Sequence, residues 1–187
     1  MLKALAMGLF AVGWVPIFLL RSERFSERRR AAPPDERRAM LNAVLAVGVH
    51  VTLCELALQD APPGAPPATR LVIAMLVFGV GIAFWALARQ TLVAYGRLLD
   101  PSAPPPALVT TGPFAIVRHP LALGMVILAL GPAVAAATPL PWVSFAAVIV
   151  AMARRCLQDE TELRATFSGA YDAYVDATPS RLIPFVW

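Results

Sequence analysis

Apolar positions in this chain gather into long runs instead of the spaced stripes of a surface helix or a half-buried strand. Residues 2–20 are apolar apart from Lys3 near the start and Pro16 near the end, and residues 39–59 and 71–89 form two further runs. Each approaches the roughly 20 residues a helix needs to cross the hydrocarbon of a bilayer. From Leu121 to Ala153 the sequence stays apolar for about twice that length. Thr138-Pro139-Leu140-Pro141 interrupts it, because proline lacks an N–H and restricts the residue before it. Two tightly linked helices over 121–137 and 142–156 follow. The pattern therefore predicts an all-α integral membrane bundle, one domain over 1–187, with five transmembrane helices and a cytoplasmic C-terminal helical segment within 157–187. The first run lacks a charged leader beyond Lys3 and a small-residue cleavage site, so it reads as a span and not as a signal peptide.

Composition agrees. The 187 residues are 58% hydrophobic and 15% charged, whereas soluble domains run near 45–50% and about 25%. Intrinsic disorder needs the opposite balance, and so short a water-soluble globule would leave much apolar surface wet. The sixteen basic residues then fix an orientation. Seven arginines lie in 21–38, Arg89, Arg97 and Arg118 follow the third span, and Arg154, Arg155, Arg164 and Arg181 follow the fifth. Five spans with the N-terminus outside put all of these on the cytoplasmic side and leave only Lys3 and Arg70 outside, as the positive-inside rule requires. The net charge of +4 thus becomes a basic membrane face that attracts anionic headgroups. Nucleic-acid binding is disfavoured, because the arginines flank spans without interleaved stacking aromatics. An Ala-, Arg- and Pro-rich chain of this kind suits a bacterial inner membrane. The connection 60–69, with four prolines and a glycine, reads as a stiff spacer.

Candidate chemistry concentrates in two cytoplasmic segments. The first runs Gly112-Pro113-Phe114-Ala115-Ile116-Val117-Arg118-His119-Pro120 to the mouth of the fourth span, with Gly124 one turn inside. Gly112-Pro113 is a turn signal. The second opens with Asp159-Glu160-Thr161-Glu162-Leu163 and continues with Phe167, Tyr171 and Tyr174, spaced by four and three as on one helix face, before Thr178-Pro179. Those aromatics read as packing and interfacial anchors. Inside the second span, His50 and Glu55 are five residues apart, about 140° around a helix, so they do not share a face. His50 and Cys54 supply too few ligands for a metal, and a neutral, hydrogen-bonded His50 is expected. No metal partner is implied.

Those two segments resemble a known superfamily. Gly112-Pro113-Phe114, Val117-Arg118-His119-Pro120 and Gly124 are similar to the GPYxxxRHPxYxG signature of the isoprenylcysteine carboxyl methyltransferases and phospholipid N-methyltransferases. Asp159-Glu160, Leu163, Phe167, Tyr171, Tyr174, Pro179, Arg181 and Ile183-Pro184 resemble their EExxLxxxFGxxYxxYxxxxPRxIP ending. Gly79-Val80-Gly81 is similar to the GxG that phospholipid methyltransferases carry in this span, although close helix packing alone would also account for it. The resemblance covers roughly Leu71 to the C-terminus. It departs at Asp159 for the first glutamate and at Phe114 and Ala122 for the two tyrosines.

What the resemblance implies is a membrane methyltransferase that uses S-adenosyl-L-methionine, with a lipophilic substrate arriving from the bilayer. Carried over by motif, Arg118, His119 and Glu160 are its catalytic candidates. Gly112, Pro113, Arg118, His119, Pro120, Gly124, Asp159, Glu160 and Leu163 are its cofactor-pocket candidates. A carboxylate such as Glu160 suits the donor's ammonium, and His119 can exchange a hydrogen bond with its adenosyl part. A carboxylate acceptor would want an arginine beside it, whereas an amine acceptor would want a base, and both sets are present. The overall pattern is most similar to the prenylated-cysteine branch, with a phospholipid amine next. An NADPH-dependent membrane reductase and a non-catalytic membrane adaptor are the more distant alternatives.

Overall fold

A computed structural model describes residues 1–14, 34–62, 66–95, 107–136, 138–184 and 186. The described chain is helical, without strands. It consists of α1 (Leu2–Trp14), α2 (Pro34–Gln59), α3 (Ala68–Ala94), a 3-10 turn (Gly112–Ala115), α4 (Pro120–Ala135), α5 (Leu140–Phe167) and α6 (Gly169–Ala177). Three of these, α2 over Leu41–Gln59, α3 and α5, are long and apolar enough to cross a membrane. The other two expected spans are shorter. Helix α1 ends its described course at Trp14, and residues 15–20 of the expected first span lie outside the described residues. Helix α4 has 16 residues, about 24 Å of rise against about 30 Å of hydrocarbon.

Helix α4 is the buried centre of the bundle, with ten of its residues buried, Pro132 among them. Three close contacts with α3 set its position. A Cβ on Gly81 would fall 2.6 Å from the Leu128 backbone nitrogen, one on Gly124 would fall 2.9 Å from the Trp85 Cα, and one on Gly131 would fall 2.9 Å from the Ala74 carbonyl oxygen. The two helices therefore run antiparallel at near-backbone contact, which small residues permit in membranes. Gly79, the other half of the GxG, has nothing within 4 Å. Phe78 of α3, whose Cβ also lies against Gly131 of α4, packs edge-on against Phe10 and Trp14 of α1 at 5.1 and 6.4 Å between ring centroids.

His50 of α2 joins three helices. Its Nε2 donates to the Ala129 carbonyl of α4 at 2.8 Å, and Nδ1 lies 2.8 Å from the Ser144 hydroxyl of α5. Because a carbonyl only accepts, Nε2 carries a ring proton, and the Ser144 hydroxyl itself donates to the Pro141 carbonyl at 2.9 Å.

Two cations close one end of the bundle. Lys3 donates to the carbonyls of Gln59 and Ala61 at 3.2 and 3.1 Å. Arg70 donates to those of Val134 and Ala136 at 2.6 and 2.8 Å. They thus neutralise the C-terminal ends of α2 and α4. Arg118, Arg155 and Arg181 lie at the opposite end.

The sequence expectation fails on the helix after the proline break. Residues 142–156 and the start of the tail are one continuous helix of 28 residues. No proline or glycine stands between Pro141 and Gly169, and the polar stretch after Ala153 is rich in good helix formers such as arginine, glutamate and leucine. A change from apolar to polar ends a span but not a helix. The expected aromatic stripe is broken instead at Ser168, whose φ of 45° terminates α5 and starts α6. Tyr171 and Tyr174 are consequently buried packing residues rather than interfacial anchors.

Candidate functional site

The length of α5 creates the site. Its 28 residues span about 42 Å, longer than the roughly 30 Å of hydrocarbon, and its last turns are polar. They bring Glu160 beneath the start of α4. The chain then reverses at Ser168, runs back through α6, and lays residues 178–181 along the segment that leads into α4. Two backbone hydrogen bonds join these stretches of chain: Arg118 N–H to the Ser180 carbonyl and His119 N–H to the Arg181 carbonyl, both 2.9 Å. The 3-10 turn is fastened on two sides. Phe114 packs with Ala88, Leu92 and Val109, and its carbonyl accepts from the Tyr174 hydroxyl at 2.6 Å. Gly112 supplies the φ of +60° that this turn requires.

Glu160 is 3% exposed and lies among three cationic or proton-bearing groups. Its Oε1 accepts from Arg118 Nε at 3.0 Å and His119 Nε2 at 3.4 Å, and Arg181 Nε reaches both oxygens at 3.1 Å. Burial alone would raise its pKa. The hydrogen bonds from His119 and Arg118, the Arg118 charge and the Arg181 hydrogen bond outweigh that and hold the carboxyl down at about 2. Arg118 is fixed further by Nη1, which donates to the carbonyls of Thr178 and Pro179, both at 2.7 Å. Tyr171 lies against the same charges. Burial first, and then Glu160, push its hydroxyl up to about 12 against the opposing pull of Arg118 and Arg164, so it stays protonated at neutral pH.

The structure thus brings together Arg118, His119 and Glu160, predicted from two segments some forty residues apart. Pro113 and Pro120 are buried beside them. Gly124 lies one turn deeper, where its lack of a side chain accommodates Trp85. Asp159 points to a different partner, pairing with Arg155 one turn earlier on α5, and Leu163 is half-buried. The sequence reading omitted Arg181 from the site. The signal was its place in the Pro179–Pro184 ending, but a half-exposed arginine near a C-terminus looks like surface charge until the chain reversal at Ser168 is known. Outside the cluster, Arg118, Val175, Asp176, Pro179 and Arg181 line an open cleft of about 420 Å³, within the range of small-molecule sites.

None of the curated proteins matches the sequence. The model of the phospholipid methyltransferase family matches residues 69–168, which run from the start of α3 to the reversal at Ser168 and hold Arg118, His119 and Glu160 but not Asp176 or Arg181. The match covers more than half of the chain. The expected superfamily is therefore the right one, and the chain belongs to the phospholipid methyltransferase family, a family of membrane methyltransferases.

Proposed function

We propose that this protein is a membrane-embedded methyltransferase that transfers a methyl group from S-adenosylmethionine to the amine headgroup of a phospholipid. One observation carries the reading: Arg118, His119 and Glu160 converge in a buried cluster within the stretch that matches the family. We read the chain as five spans in one domain, with the N-terminus outside and the cluster at the cytoplasmic surface, where a soluble nucleoside donor is available. The donor set fits such a molecule. The methyl donor carries a carboxylate, an ammonium and a sulfonium, and the cleft beside the cluster offers two arginines and an aspartate. When bound, it supplies an electrophilic methyl.

The residues' own work is to bind, orient and exclude water, which supply most of the rate in a displacement at a methyl. Glu160 takes a role other than the ammonium clamp expected of it. Held ionised and enclosed by Arg118, His119 and Arg181, it fixes those side chains and accepts no further proton near neutral pH. The Glu160 carboxylate only accepts, so His119 Nε2 is the donor of their 3.4 Å contact.

The family match favours a phospholipid amine over the prenylated-cysteine carboxylate that the sequence pattern put first. The carboxylate remains a second reading for one reason: the cluster is rich in arginine, and a carboxylate acceptor needs no base. Incubation of the reconstituted protein with methyl-labelled S-adenosylmethionine, followed by lipid extraction, separates them. Label in a base-stable N-methyl headgroup supports the proposal. Label in a base-labile ester selects the carboxylate, and unlabelled extracts and protein reject both.

A further inference from the structure

Between the 3-10 turn and α4 the chain begins a helix and then leaves it. Ile116 N–H and Val117 N–H both donate to the Pro113 carbonyl at 3.2 Å, and the second of these is already an α-helical bond, four residues apart. The next in that series would run from Arg118 N–H to the Phe114 carbonyl. Arg118 N–H bonds the Ser180 carbonyl instead, and His119 N–H bonds that of Arg181. The helix resumes only at Pro120. This break leaves the Phe114 carbonyl without a backbone donor among the described residues, on a residue 8% exposed. A buried carbonyl in that position costs about as much as a lost hydrogen bond unless a side chain reaches it. The Tyr174 hydroxyl does so, donating at 2.6 Å.

We propose that Tyr174 is a positioning residue: by occupying the Phe114 carbonyl it diverts the backbone at Arg118 and His119 out of the helix and onto residues 180–181. His119 needs little help, because the residue before a proline is pushed out of the helical region, and its φ of −121° and ψ of 62° agree. Arg118 is one position too early for that effect. Without the hydroxyl, the nearest donor for the Phe114 carbonyl is Arg118 N–H, which would complete the helical bond and give up Ser180. The Arg118 side chain would then leave Glu160 and the carbonyls of Thr178 and Pro179 that now hold it. Tyr174 is well placed for this work. It is 5% exposed, its ring packs edge-on against Tyr171 at 6.0 Å, and burial pushes its hydroxyl pKa up, so it remains a donor at neutral pH. The position lies beyond residues 69–168, the stretch that matches the family.

Nuclear magnetic resonance of the detergent-solubilised full chain tests the proposal with Tyr174→Phe, which keeps the buried ring and removes the hydroxyl. The Arg118 Cα shift is expected to move toward helical values. The His119 amide, whose Arg181 partner is drawn away, should lose tenfold or more of its protection from hydrogen exchange relative to Leu128 in the middle of α4. Val148→Ala is the control for lost stability. It opens a cavity in the core of α5, twelve residues before Glu160, and should speed the His119 and Leu128 amides together while leaving the Arg118 shift in place. An unmoved Arg118 shift or an unmoved His119 amide in Tyr174→Phe overturns the proposal. So does a wild-type chain in which Arg118 already has helical shifts, a result that needs no variant.

Only the consequence for the methyl donor rests on the functional reading above. Affinity for S-adenosylhomocysteine should fall fivefold or more in Tyr174→Phe and stay within twofold of wild type in Val148→Ala. Wild-type affinity in Tyr174→Phe overturns the positioning role. A wild-type chain that binds no S-adenosylhomocysteine overturns the functional reading instead, and the two resonance signals still decide the proposal.

Discussion

Glu160 shares its carboxylate with Arg118, His119 and Arg181 at 3% exposure, so its removal does more than delete one contact. Glu160→Gln would leave two buried or half-buried guanidinium groups facing a neutral amide. Breaking a buried pair from one side costs about 3–5 kcal/mol, and the arginines would no longer be aimed at the cleft. The expected result is a lower melting temperature in detergent and binding of S-adenosylhomocysteine weakened more than tenfold. The pH dependence has a definite sign. The carboxyl is held at about 2, below its ordinary 4.5. Its contribution is therefore complete above the ordinary value and is lost as the pH falls toward 2. Melting curves of the wild type should fall more steeply than those of Glu160→Gln between about pH 5 and pH 2; parallel curves would show that Glu160 carries no such linkage. At this scale the sequence was informative about residue types and silent about partners. His119 and Glu160 could be named because they stand in the two motifs that resemble the family. Arg181 could not, because the reversal that returns it to the cluster depends on the backbone at Ser168.

The spacing of small residues decides how the helices meet, and it separates two glycines that look equivalent in the sequence. Gly81 sits against the Leu128 backbone, while Gly79 faces open space. Gly81→Val should force α3 and α4 apart and cost about 1–3 kcal/mol or more. Gly79→Ala should be neutral or slightly stabilising, since alanine is the better helix former. Thermal unfolding of the two variants in the same detergent checks the contrast, and equal destabilisation would contradict the close α3–α4 contact. The second and third spans were readable as elements because an uninterrupted apolar run of that length is stable only where lipid or protein surrounds it. The extent of α5 was not, because hydropathy marks where a membrane ends and helix propensity marks where a helix ends. Here the two boundaries lie more than ten residues apart, and that difference brings Glu160 to the mouth of α4.

For the molecule as a whole, charge and packing give the same division into two ends. Lys3 and Arg70 cap helices at one end, and the Glu160 cluster closes the other. In the proposed topology the first end is outside and the second cytoplasmic. Single cysteines at the exposed positions Thr69 and Ala173, with the buried native Cys54 and Cys156 as background, should react with an impermeant maleimide from opposite faces of oriented vesicles. Labelling of both from one face would overturn the arrangement. The most direct measurement for the whole account is a calorimetric titration of the solubilised full chain with S-adenosylhomocysteine. A single saturable site that Glu160→Gln weakens more than tenfold is the predicted result; no saturable binding, or equal affinity in the two proteins, would contradict it.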